Sequence, residues 1–368
     1  MRLLIIKLSS LGDVVHALPT LAALRRRFND AHIAWLVGPA AAGIVAGHPM
    51  LDQTFIWRSG SAPIAPRTEG LAHTRGLIRR LRAERFDITL DLQGLFRTAI
   101  LAFASGAPRR VGFRNFQEGA FLFNNERAIP DRKDVHAVHG YLAFAAHLGA
   151  ATEPIEFVFP ESPGAEQRLD ELLVPAAGKS VVALIPDAGW PSKRWPAERF
   201  AAVADALAGD GAACVIIGGA DSQPLAEEIS GRARSQPINA AGRTVLADLP
   251  ALFRRCAAAV ANDSGPMHIA AAVGCPVVAL FGPTSPARTG PFGDGHVVIE
   301  APLPCLGCRR RECSHLHCMT EINTPQVIAA AHGLLGARVR DSSLPPPPSL
   351  LRQGYEGPTG LRRTSRSE

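Results

Sequence analysis

Short runs of Val, Ile, Leu and Ala alternate along the chain with stretches in which apolar residues recur every three to four positions. The short runs are apolar throughout and read as strands buried on both faces; the periodic stretches read as helices. In the first half, strands are expected at residues 3–8, 32–37, 53–57, 86–91 and 110–113, and helices at 14–28, 70–84, 95–104 and 136–148. In the second half, strands are expected at 181–185, 213–217, 237–239, 258–261 and 277–281, and helices at 196–208, 222–234, 246–256 and 266–273. Such alternation predicts an α/β fold with a parallel sheet covered by helices on both sides. The pattern occurs twice, on either side of a stretch holding Pro154, Pro160, Pro163 and Pro175. Two Rossmann-like, doubly wound domains are therefore expected, over residues 1–155 and 179–340, with a linker over 156–178. A ligand cleft between the carboxyl ends of the two sheets follows from that arrangement. Residues 341–368 contain four consecutive prolines followed by Ser, Gly and Arg, and are expected to be disordered.

Length and composition agree with this picture. The chain of 368 residues is 47% apolar and 20% charged, which suits two globular domains. It has no uncharged apolar run long enough for a transmembrane helix, and Lys7 interrupts the first apolar run too early for a secretory signal, so a cytoplasmic location is expected. The formal charge of +6 is uneven: residues 1–150 carry 19 Lys and Arg against 11 Asp and Glu, and the rest carry 20 against 22. A basic first half suits a phosphorylated ligand or an anionic membrane surface, although 35 of the 39 basic residues are Arg, which a GC-rich genome alone would favour. Aromatic residues are not interleaved with the basic ones, and nucleic acid is not expected as a partner.

Three strand-end loops carry chemistry. The first is Lys7-Leu8-Ser9-Ser10-Leu11-Gly12-Asp13-Val14-Val15-His16, where Gly12 permits a tight turn and Ser9, Ser10 and free helix-start amides can bind an oxygen-rich ligand. It is neither a dinucleotide fingerprint nor a P-loop. Asp13 fits either a helix cap or a catalytic carboxylate. The second is Trp190-Pro191-Ser192-Lys193-Arg194-Trp195-Pro196, whose basic pair either neutralises a diphosphate or is simply solvated. The third is Asn262-Asp263-Ser264-Gly265-Pro266-Met267-His268, with the amides of Ser264 and Gly265 at the positive end of a helix. Asp263 as a cap and His268 as a structural histidine are the alternatives there. Of seven cysteines, Cys214, Cys256 and Cys275 lie in apolar runs, while Cys305, Cys308, Cys313 and Cys318 cluster with spacing that fits either reduced thiols or a tetrahedral zinc or iron site. No Asp-x-Asp pair is present to bridge a magnesium diphosphate.

These motifs, with Asp91-Leu92-Gln93-Gly94-Leu95 and Phe281-Gly282-Pro283-Thr284, resemble the ADP-heptose:lipopolysaccharide heptosyltransferases of glycosyltransferase family 9, from Met1 to about Gly333. The resemblance implies a GT-B fold and an inverting, metal-independent transfer of heptose from ADP-heptose to the Kdo-lipid A region of the lipopolysaccharide core, with no cofactor required. It implies Asp13 as general base and Lys193 as the cation that offsets charge on the departing diphosphate. It places Ser9, Ser10, Gly12, Asp263, Ser264, Gly265 and His268 at the donor, with Thr244 near a donor loop. Gln223 falls where some relatives carry a ribose-contacting Glu. The first-heptose branch is the most similar, and Arg97, Arg109, Arg110 and Arg114 are candidates for acceptor phosphates or carboxylates. A lipid A-linked acceptor implies peripheral attachment to the cytoplasmic face of an anionic inner membrane. A second-heptose enzyme, a protein-acceptor transferase and a non-catalytic nucleotide-sugar or metal-binding protein are the competing readings.

Overall fold

The computed structural model describes residues 1–58, 67–113, 119–129 and 135–340. The expected disordered tail and Arg114 lie outside the described residues. The first sheet has strands β1 Arg2–Ile6, β2 His32–Val37, β3 Gln53–Ile56, β4 Ile88–Asp91, β5 Arg109–Phe113 and β6 Glu126–Ile129. The second has β7 Val181–Ile185, β8 Ala213–Ile216, β9 Ile238–Asn239, β10 Ala258–Asn262, β11 Val277–Phe281 and β12 Val297–Glu300. The helices are α1 Leu11–Arg27, α2 Arg67–Ala83, α3 Phe96–Ala104, α4 Ala137–His147, α5 Ala165–Leu173, α6 Ala197–Gly209, α7 Gln223–Arg232, α8 Leu249–Arg255, α9 Gly265–Ala272, α10 Pro286–Thr289, α11 His317–Thr320 and α12 Thr324–Arg340. None is long and apolar enough to cross a membrane, among the described residues.

Each sheet is parallel throughout, with strand order β3-β2-β1-β4-β5-β6 in one and β12-β11-β10-β7-β8-β9 in the other. Counted within each half, both orders are 3-2-1-4-5-6, the doubly wound Rossmann order. The chain turns from one side of the sheet to the other between β1 and β4, and again between β7 and β10, and a crevice opens at such a switch point.

Alternation along the strands shows why. Leu3 and Ile5 of β1 face one apolar cluster and Leu4 and Ile6 another. Val181, Ala183 and Ile185 of β7 likewise share the first cluster, and Val182 and Leu184 lie in a third. The first cluster runs without a break from β1 through α1 and α4 to α9 and β11, so the two halves share one apolar core.

Two of the four edge strands, β6 and β12, escape the hydrophobic pattern. Glu126 and Arg127 interrupt β6, and β12 is only partly buried, as edge strands are. The proline-rich stretch is also more than a bare linker. It carries α5, whose Leu169 and Leu172 enter the shared core while Arg168 and Ser162 bond Asp248.

Candidate active site at two switch points

The loops after β1, β4, β7 and β10 are the four that flank the switch points, and they hold four of the five motifs; the fifth, Phe281-Gly282-Pro283-Thr284, follows β11. Gln93, after β4, accepts the backbone N–H groups of Leu8 and Ser9 at 3.1 Å each, which fixes the path of the first motif. Asp91 closes its own turn by accepting Gly94 N–H at 3.0 Å; burial pushes its carboxyl up despite these bonds. Asn262, after β10, donates to the carbonyl of Pro186 at 2.6 Å and accepts Trp195 N–H at 3.2 Å, tying the third motif to the second.

Asp13 stands in the first turn of α1 and serves partly as a cap: its Oδ2 accepts the backbone N–H of Ser10 at 3.2 Å and the Ser10 hydroxyl at 3.0 Å. Its Oδ1 accepts the Tyr141 hydroxyl at 2.7 Å and lies 3.8 Å from Lys7 Nζ. The Lys7 side chain is fully buried, with its ammonium 4.8 Å from the centre of the Tyr141 ring. The buried Lys7 amine and the Tyr141 hydroxyl therefore hold the Asp13 carboxylate, whose side chain is 26% exposed. That arrangement can receive a proton from a bound hydroxyl.

The second half contributes a cation and a helix end. Lys193 Nζ lies 2.6 Å from Asp263 Oδ2 and 4.5 Å from the centre of the Trp190 ring. Asp263 also accepts the Thr284 hydroxyl at 2.5 Å and lies 3.7 Å from His268 Nε2. Burial works against its charge, but the bond from His268 and the charge of Lys193 win and hold it well below the usual carboxylate range. Ser264 and Gly265 open α9, and the Ser264 hydroxyl oxygen is enclosed without a hydrogen-bond partner among the described residues.

Two glycines let the halves meet. A Cβ on Gly12 would fall 2.3 Å from His268 Cδ2, and one on Gly265 would fall 2.4 Å from Leu11 Cδ2. His16 Nε2 and His268 Nδ1 share a hydrogen bond at 3.1 Å across the contact, and His136 Nε2 donates to the Gly290 carbonyl at 3.2 Å. Burial and the neighbouring His268 push the His16 imidazole well below its ordinary value, so it is neutral near pH 7.

Residues 74–319 match the model for glycosyltransferase family 9 (heptosyltransferase). The chain belongs to glycosyltransferase family 9. The lipopolysaccharide core heptosyltransferase OpsX of Haemophilus influenzae is 28% identical over 302 residues, covering 81% of this chain and 84% of that protein. Lipopolysaccharide heptosyltransferase 1 of Pseudomonas aeruginosa is 29% identical over 329 residues, covering 86% and 88%. A family 9 glycosyl transferase from Veillonella parvula superposes with a TM-score of 0.81 at 27% identity, covering 91% of this chain and 97% of that one. The chain is thus a glycosyltransferase, and its two facing Rossmann-like domains are the GT-B arrangement expected from the sequence.

In this family 9 enzyme the other expected site residues fall into place unevenly. Ser9, Ser10, Gly12, Asp13, Lys193, Asp263, Ser264, Gly265 and His268 gather where the halves meet. Gln223 opens α7 and donates to Glu227 at 3.2 Å, and Thr244 is half-buried in the loop after β9. Arg97 is exposed at the start of α3. Arg109 and Arg110 are already engaged: Arg109 grips Glu126 through two nitrogens at 2.6 and 3.0 Å, and Arg110 binds the carbonyls of Phe123 and Ala107 at 2.7 Å each. They shape β5 and its following loop, and an acceptor anion would have to displace those partners. The four clustered cysteines are free thiols: Cys305 and Cys308 are exposed, Cys313 is half-buried and Cys318 is buried. They do not fit a zinc or iron site as arranged, because among the described residues no three His, Cys, Asp or Glu side chains converge on a possible metal position. The residues that sequence reasoning passed over are Tyr141, Lys7, Gln93, Thr284 and His16. Four of the five sit inside the quoted motifs, whereas Tyr141 arrives from α4.

Proposed function

We propose that this family 9 enzyme is an inverting heptosyltransferase that uses ADP-heptose and acts on the Kdo-lipid A region of the lipopolysaccharide core; its relatives OpsX and heptosyltransferase 1 are lipopolysaccharide heptosyltransferases. The observation that carries this reading is the carboxylate of Asp13, held by Lys7 and Tyr141 on one half and set across the Gly12–His268 contact from Lys193 and the α9 N-terminus on the other. The acceptor hydroxyl attacks the anomeric carbon of the heptose and gives its proton to Asp13. The new carbon–oxygen bond forms on the face opposite the breaking bond to phosphate, and ADP departs with the bonding pair. Lys193 and the amides of Ser264 and Gly265 offset the charge that grows on the diphosphate. Thr244, in the loop after β9, and Gln223, at the start of α7, are assigned to the nucleoside. This chemistry needs no divalent metal, since side-chain and helix-end charge take its place. Its acceptor lies in the cytoplasmic leaflet of the inner membrane, which makes the enzyme peripheral and cytoplasmic.

The test is transfer of labelled heptose from ADP-heptose to a panel of truncated core acceptors, with and without excess EDTA. Transfer to Kdo-lipid A that persists in EDTA is expected. Transfer only to an acceptor already bearing one heptose would move the enzyme to the second-heptose branch. Loss in EDTA with recovery by Mg²⁺ or Mn²⁺ would refute the metal-independent mechanism.

A further inference from the structure

The face built by α3 and the short turn of helix at Ala120–Leu122 is apolar, aromatic and exposed. Phe96 and Phe103 are seven residues apart on α3, two turns along one side. The Phe123 ring sits between them, with centroids 5.5 Å from Phe96 and 5.7 Å from Phe103. Beside it, Phe121 is 46% and Leu122 68% exposed, and Phe103 itself is 52% exposed. A contiguous exposed patch of large apolar side chains marks an interaction surface on a water-soluble domain.

The rim of this patch is cationic. The Arg110 guanidinium carbon lies 5.4 Å from the Phe103 ring centre, pinned there by its bonds to backbone carbonyls. Arg82, reaching over from α2, donates to the Ala104 carbonyl at the end of α3 at 2.9 Å. Arg97 is exposed one residue beyond Phe96. Between Leu92 and Phe113 the sequence has three arginines and no Asp or Glu, and nearby Glu126 is already paired with Arg109 and His147.

We propose that this face seats on an anionic lipid bilayer, with Phe103, Phe121 and Leu122 entering the interfacial layer and the exposed Arg82 and Arg97 meeting lipid phosphates. Aromatic rings with a polar or cationic fringe are matched to the boundary between headgroups and acyl chains. A second copy fits poorly, because a two-fold contact would bring together two patches of the same positive charge. The position suits function as well. α3 starts directly after the turn whose Gln93 holds Leu8 and Ser9, so the Phe96 end of this face is the one nearest the loop that carries Asp13. The choice of a bilayer rests on the lipid-linked acceptor proposed above; the patch and its charge do not.

The experiment is co-sedimentation of the full chain with vesicles of phosphatidylglycerol and phosphatidylcholine, and with phosphatidylcholine alone, at low and high salt. The wild type is expected to bind the anionic vesicles, with affinity falling at least tenfold in high salt. The Phe103→Ser/Leu122→Ser variant is expected to lose a further tenfold or more, while Val174→Ser, which removes an exposed apolar side chain on the other half, binds as the wild type does. Heptose transfer to a soluble, deacylated acceptor is measured on the same preparations. It is expected to be unchanged in the double variant, and it tests the transferase reading separately from the membrane one. Absence of wild-type binding, equal binding by the double variant, or an equal loss in Val174→Ser would overturn the proposal. So would a wild-type dimer that the double variant dissolves without any vesicle binding.

Discussion

Replacing Asp13 by Asn separates chemistry from folding in a way the structure makes quantitative. Asparagine keeps the size of the side chain and one oxygen for Ser10, but it removes the proton acceptor and the charge beside Lys7. General-base catalysis contributes about 10²–10⁴-fold, so kcat is expected to fall by that factor. Stability should fall as well. Two unit charges at 3.8 Å interact by about 4 kcal/mol at an effective dielectric of 20. Removing one partner of a buried pair typically costs about 3–5 kcal/mol, and the partial exposure of Asp13 places this case near the lower end. For a domain of roughly 150 residues, about 3 kcal/mol lowers Tm by about 6–10 °C. The double variant Lys7→Met/Asp13→Asn removes the buried ammonium together with the carboxylate. It should regain most of the lost stability and none of the lost turnover. Initial rates with labelled donor, thermal melts and ADP binding by calorimetry read the three quantities. ADP affinity should hold in Asp13→Asn, because the cation and helix end proposed to hold the diphosphate belong to the other half. Turnover within tenfold of the wild type would remove Asp13 from the mechanism. An unchanged Tm would show that Lys7 does not depend on it.

Gly12→Ala should separate α1 from α9, because its Cβ would meet the His268 ring at 2.3 Å while His16 and Asp263 hold that ring in place. A fall in kcat of tenfold or more with a folded circular-dichroism spectrum is expected, and wild-type kinetics would show that the contact is not needed for turnover. Lys193→Ala should lower kcat by about 3–4 kcal/mol of lost transition-state stabilisation, and a rise in donor KM alone would limit Lys193 to ground-state binding. Stability should decline on acidification below about pH 6.5. His16 and His136 are held neutral below their ordinary value and His48 is pushed to about 4, so the unfolded chain binds more protons as the pH falls. Burial dominates at His48, where the shift amounts to about 3 kcal/mol lost by pH 4. Melts of His48→Gln should show a flatter decline between pH 6.5 and pH 4.5 than the wild type, and an identical slope would refute the assignment.

The fold was legible because doubly wound strands must be apolar on both faces, so β1, β7, β10 and β11 stand out as unbroken runs. Edge strands have no such obligation, and β6 with Glu126 and Arg127 reads as loop until its pairing with β5 is seen. The loops of the site were legible for a related reason. Glycine, acid and base placed directly after a buried strand have few structural uses there. What sequence could not convey is which side chains meet. Tyr141 lies 128 positions from Asp13, and nothing in α4 marks it out. Lys7 was visible as an interruption of the first apolar run, but its burial beneath Asp13 depends on α1 and α4 packing together. Gly12 looked like a turn glycine, yet the structure needs it for the approach of His268 from the other half. Arg109 and Arg110 suggested an anion site only while their partners Glu126, Phe123 and Ala107 were out of view.

The charge balance around the donor loop narrows the roles further. Asp263 has Lys193, Thr284 and His268 around its two oxygens, so its carboxylate is occupied by protein groups and repels phosphate. Its use is to aim Lys193 and to fix His268 against Gly12, at the cost of cancelling the lysine charge. A diphosphate arriving there would meet a near-neutral pair, and Lys193 alone could not hold it. In the proposed mechanism the balance is assigned to the N-terminus of α9, equivalent to about half a positive charge, and to the arginines on the neighbouring loops. Arg311 lies 5.3 Å from the Trp190 ring centre, and the carbonyl of Arg310 accepts the Ser192 hydroxyl at 2.7 Å, so the cysteine-bearing loop is attached to the Lys193 loop. The amides of Gly307 and Arg309 bond the carbonyls of Gly282 and Pro283, which anchors the same loop beside Thr284. The segment whose cysteines invited a metal is thereby anchored with Arg311 beside Trp190 of the Lys193 loop.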